Sequence, residues 1–192
     1  MKPEKVRRRL EKALAEGLRI RVWRSKVVDW SDNVYVAAVT DGWVAFESML
    51  GSVLSDGYDL VRLRDITDVH VMDEARQDYW SRVRSEYPRR SPVPDLTRIG
   101  TTADALTSAS ALAPLISVHE ERWENEPVWI GRLERVRTKS YWMTPIDPAG
   151  RWEEPERFTF KNLTRIGVLD RYAMALAVHG DPRSDPSETE PA

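Results

Sequence analysis

The chain carries one apolar pattern twice, and that repeat limits its fold more than any single motif, because each copy has to bury the same faces in the same order. Val61-Arg-Leu-Arg-Asp-Ile-Thr-Asp-Val-His-Val71 and Phe158-Thr-Phe-Lys-Asn-Leu-Thr-Arg-Ile-Gly-Val168 align Val61 with Phe158, Leu63 with Phe160, Ile66 with Leu163, Thr67 with Thr164, Val69 with Ile166 and Val71 with Val168. Upstream, Val34-Tyr-Val-Ala-Ala-Val39 matches Val128-Trp-Ile-Gly-Arg-Leu133, and Ile20-Arg-Val22 matches Ile116-Ser-Val118. Each copy also has a leading amphipathic segment. Lys5 to Glu16 sets Val6, Leu10, Ala13 and Leu14 on one face and stops at Gly17; Thr102 to Ala113 repeats this with Leu106, Ala109 and Leu112, from a Thr N-cap to Pro114.

After each helix come short runs rich in Val, Ile, Trp, Tyr and Phe. Val34–Val39 is nearly all apolar, as a strand covered on both faces would be, and Asp41-Gly42 marks a hairpin into Trp43-Val-Ala-Phe46. Asp73 to Glu86 reads as a helix after the first copy, and Asp170 to Val178 as its shorter counterpart. The expected fold is therefore α+β and mainly β: two tandem small barrels of bent, mostly antiparallel sheet, each preceded by an α-helix. The expected boundaries are residues 1–72 for the first helix and barrel, 73–100 for a connecting helix and a Pro/Arg linker, 101–180 for the second copy, and 181–192 for a disordered tail.

A helix followed by about five short bent strands, with Ile-Thr-x-Val closing the first copy, resembles the Sm-like and SH3-like small barrels. That resemblance implies ring-forming proteins that bind RNA through loops carrying an Arg-Gly signature. At the matching turns this chain has Arg64-Asp65 and Lys161-Asn162, without the glycine.

Composition narrows the chemistry. With 41% hydrophobic residues and 8 Trp a packed core is expected, and with 0 Cys there is no disulfide framework, thiolate metal site or cysteine nucleophile. The start of the chain lacks the apolar stretch of a secretory signal, and Ala105 to Val118, uncharged but broken by Pro114, is too short to span a bilayer; a soluble cytoplasmic protein is expected. Three His are too few for a multi-His metal site, and His119-Glu-Glu-Arg-Trp123 has Trp where a zincin helix needs its second His. No Gly-rich phosphate loop occurs, and no spacing sets Glu120, Glu124, Glu153 or Glu154 in pairs across a cleft. The expectation is a non-enzyme with no cofactor and no metal.

Binding remains, in two forms. Exposed Trp and Arg make interface hot spots, and Trp30, Trp152, Arg132 and Arg151 sit in turn-like or edge contexts that suit a protein partner or self-association. Alternatively, residues 1–26 hold ten Lys/Arg against three Glu, although the whole chain carries a net charge of −2. Arg19, Arg21, Trp23 and Arg24 could then contact a single-stranded RNA, with Arg19, Arg21 and Trp23 on one strand face and Ile20 and Val22 on the other. The competing reading of that stripe is a solvent face paired across the sheet.

Overall fold

The computed structural model describes residues 1–28, 31–51, 53–88, 99–123, 125 and 127–182. Helix α1 (Pro3–Glu16) starts with a proline in its first turn, buries Val6, Leu10 and Ala13, and ends at Gly17 in the left-handed conformation. Strands β1 (Arg19–Trp23), β2 (Ser31–Val39), β3 (Trp43–Leu50) and β4 (Leu54–Arg62) follow, then a 3-10 turn (Leu63–Asp65), β5 (Asp68–Val71) and α2 (Glu74–Glu86). The second half runs α3 (Thr102–Leu112), β6 (Ile116–His119), β7 (Val128–Val136), β8 (Ser140–Pro145), β9 (Glu156–Thr159), β10 (Arg165–Val168) and α4 (Arg171–His179). Asp73, Thr101 and Asp170 cap α2, α3 and α4 by accepting first-turn amides.

The ten strands form one antiparallel sheet in the order β5-β1-β2-β3-β4-β10-β6-β7-β8-β9. This corrects the expectation of two separate barrels: the sheet is open and continuous, with β5 and β9 as its edges. Packing shows why the halves do not separate. Alternation along β3 and β4 sends Val44, Phe46 and Val61 to a core under α1, whereas Trp43, Ala45, Tyr58 and Leu60 point to the other face. There they share one apolar cluster with Ile116, Val118, Tyr141, Met143 and Ile166 and with Leu106 of α3. A third, smaller cluster joins Leu115 and Ile146 to Ala173 and Leu176 of α4. Among the described residues no helix is long and apolar enough to cross a membrane. Of the expected linker, α2 is seen and residues 89–98 lie outside the described residues, as do 183–192 of the tail.

Candidate interaction site at the seam and the sheet edges

The two halves meet where β4 pairs with β10, in the register Arg165↔Val61, Ile166↔Leu60, Gly167↔Asp59 and Val168↔Tyr58. One end of this seam needs a glycine. Gly57 has φ +79°, and a Cβ there would lie 2.4 Å from the Val168 carbonyl oxygen. The same end is tied by the Asp56 carboxylate, which accepts the Arg171 amide at 3.0 Å.

Buried charge holds the other end. Arg24 makes a two-pronged pair with Glu121, at 2.6 and 2.7 Å, and Arg165 reaches Glu121 at 3.1 Å and Asp59 at 3.3 Å. The Thr164 hydroxyl accepts the Glu121 amide at 3.1 Å, and Arg165 donates to Nδ1 of His119 at 3.1 Å, so that nitrogen carries no proton. Arg122 bonds Asp65 at 3.1 Å and the Lys161 carbonyl at 3.3 Å, which links the two copies' matching turns. Burial alone would raise the Glu121 carboxyl, but Arg24 and Arg165 hold it at about 2. Burial, helped by Arg165, pushes His119 down to about 4. Asp32 borders the same cluster, and burial pushes it up to about 6 against the pull of Arg165. This arrangement is a clamp between strands. Its charges are committed to one another, and among the described residues no group of three or more His, Asp or Glu is placed to hold a metal ion.

The outer edges are short. Edge β5 pairs only with β1, and its His70 stacks edge-on against Trp23 at 4.9 Å. Arg9 of α1 donates to the Val69 carbonyl, so one outward main-chain acceptor of β5 is covered by a long flexible side chain. Edge β9 pairs only with β8, and Glu156, Arg157 and Thr159 are exposed on it.

The residues singled out from sequence scatter across this frame. Trp30 lies outside the described residues. Trp152 is half-buried: it bridges to Ile146, packs on the α4 cluster and donates to the Asp181 carbonyl at 2.9 Å. Arg151 is exposed and paired with Asp147 at 2.7 Å; Arg132, also exposed, lies on β7 beside Glu134 at 3.3 Å. Arg151 and Trp152 are neighbours in one turn, whereas Arg132 lies on β7. The four residues of the nucleic-acid stripe divide by burial. Arg19 is 1% exposed, with its guanidinium 3.6 Å from the Trp80 ring centre under α2, and Arg24 is buried on Glu121, so neither is presented at the surface. Arg21, bonded to Asn33 at 3.0 Å, and half-buried Trp23 keep access to solvent.

Sequence reasoning missed the seam residues Asp59, Glu121 and Arg165. The one available signal was Thr164, shared with Thr67 in the repeat, which the structure places at the centre of the clamp. It also missed Trp123, which at 57% exposure is an open aromatic on the loop after β6. Comparison of the chain with family models, curated proteins and solved structures returns no match.

Proposed function

We propose that the protein is a non-catalytic assembly module made of two equivalent copies, and that it binds further copies of itself through its two sheet edges. One observation carries this reading: the strand order within the first half, β5-β1-β2-β3-β4, recurs as β10-β6-β7-β8-β9, and the halves are joined by pairing β4 with β10. By that equivalence β5 corresponds to β10 and β9 to β4. The edges at the two ends of the sheet are therefore the same two surfaces that meet in the middle, and β9 of one molecule can take β5 of the next by strand addition once the flexible Arg9 side chain gives up the Val69 carbonyl. Such a head-to-tail contact is heterologous and gives a ring if the rotation closes and a filament if it does not. Carried over from Gly167↔Asp59, the register sets His70 of one molecule opposite Glu156 of another.

Sedimentation over a range of concentrations tests this. The wild-type chain is expected to associate, His70→Glu to weaken association by about fivefold through like charges set opposite each other, and His70→Glu with Glu156→Lys to restore it. A chain that stays monomeric at millimolar concentration, or a His70→Glu variant that associates as wild type does, contradicts the proposal.

A further inference from the structure

Where β4 ends, Arg62 enters the shared core with 4% of its surface exposed. Its Nη2 donates to the Phe160 carbonyl at 2.5 Å and lies 3.4 Å from the Thr102 hydroxyl, but Nη1 is buried with no hydrogen-bond partner. Of the other buried guanidiniums, Arg24 faces Glu121 and Arg165 faces Glu121 and Asp59, while Arg19 lies over the Trp80 ring. Among the described residues Arg62 has no such ion pair; Asp65, the acid that acts on it through space, is bonded to Arg122. Burial and the nearby Arg64 lower the Arg62 pKa to about 10, the mark of a positive charge short of compensation.

Arg62 lines a cleft of about 550 Å³ together with Lys26, Trp43, Arg64 and the start of α3 at Thr101 and Thr102. Three cations thus face one acid, Asp41, which is already shared with Arg7 at 3.6 Å. The eleven-residue helix α3 adds the positive end of its dipole. Its capping box uses the Thr101 and Asp104 amides, with the Asp104 carboxylate accepting from Gly100 at 3.2 Å and Thr101 at 2.8 Å, so part of that field is already met. A purely structural strut from β4 to the turn at Phe160 accounts for Nη2. The Trp43 ring, 5.5 Å from the guanidinium carbon, meets part of that charge, but Nη1 has no hydrogen-bond partner and the cleft stays net positive.

We infer that this cleft binds the phosphoryl group of a small phosphorylated molecule, with Arg62 at its base, Lys26 and Arg64 at its rim, and the head of α3 alongside. An oxyanion offers several acceptors to one guanidinium and is favoured at a helix N-terminus. A cleft of this size has room for the rest of a small ligand. A recessed base, Asp41 at the rim and a chain of net charge −2 favour a small ligand over a polyanion.

Amide NMR of the full chain, titrated with inorganic phosphate, ribose 5-phosphate, ribose and a single-stranded oligouridylate at matched ionic strength, tests the inference. Saturable shifts are expected at Gly42 and Gly100–Thr102 with phosphate and ribose 5-phosphate and not with ribose. Lys26→Ala with Arg64→Ala is expected to leave the melting temperature unchanged and to weaken ribose 5-phosphate binding about tenfold through the loss of two charge-assisted contacts. Arg62→Gln should abolish saturation; if that variant does not fold, the rim variant decides. Equal shifts with sodium chloride, a rim variant that binds as wild type does, or oligouridylate binding more than a hundredfold tighter than ribose 5-phosphate overturns the inference, the last result in favour of a polymer.

Discussion

Glu121 bears on stability through a single carboxylate that serves Arg24, Arg165 and Thr164 at once. Removing one side of a buried pair leaves the other charge uncompensated, so Glu121→Gln is expected to cost about 3–5 kcal/mol in urea unfolding. The pH dependence follows from the same cluster. Glu121 sits below its ordinary 4.5 at about 2, so its contribution is complete above pH 4.5 and is lost as pH falls towards 2. His119 sits below its ordinary 6.5 at about 4, so the unfolded chain takes up a proton first and stability falls as pH drops from 6.5 to 4. Asp32, raised from 3.8 to about 6, acts in the opposite sense: it gains its proton first in the folded state, and stability rises as pH drops through that window. Asp32→Asn is therefore expected to raise stability at pH 7 by about 1 kcal/mol and to steepen the loss between pH 6.5 and 4. Urea titrations of both chains at pH 7 and pH 5 check this, and parallel curves would contradict it. Gly57→Ala meets both a left-handed φ and the Val168 carbonyl, and should cost about 2–4 kcal/mol, because backbone on backbone cannot give way.

The helices were legible as local chemistry. Val6, Leu10 and Ala13 at helical spacing, Gly17 as a stop and Thr101 as a cap place α1 and α3 within a residue or two of where they lie, and Asp41-Gly42 gives the β2–β3 hairpin. The burial of Arg19 was not legible, since alternation assigns a residue to a face but does not say what covers that face. Here α2 covers it, and without burying any residue of its own. Gln77 bonds both the amide and the carbonyl of Arg19, at 3.0 and 2.7 Å; Trp80 stacks on its guanidinium, and Arg84 pairs with Glu47 at 2.7 Å. A helix docked by polar and cation–π contacts has little apolar area behind it. Hydrogen exchange is expected to show residues 74–86 opening well before the sheet, and Trp80→Ala to abolish their protection while β2 and β3 stay protected. Simultaneous exchange of α2 and the sheet would contradict this.

For the molecule as a whole, the recurring order of helix and strands was readable because apolar positions repeat, but the joining of the two halves into one sheet was not. Strand edges pair through main-chain groups that every sequence possesses, so nothing in Asp59 or Gly167 announced that they would face each other. In the proposed assembly the internal β4–β10 junction is repeated between molecules as β9 on β5. A chain with 0 Cys lets that register be read directly by disulfide trapping, since residues directly opposite in an antiparallel pair come within disulfide reach. In the His70→Cys/Glu156→Cys double variant, mild oxidation is expected to produce a ladder of covalent multimers, and each single variant should give nothing beyond a dimer. Monomer only from the double variant, under conditions where the reduced chain is shown to be folded, would contradict the β9-on-β5 junction.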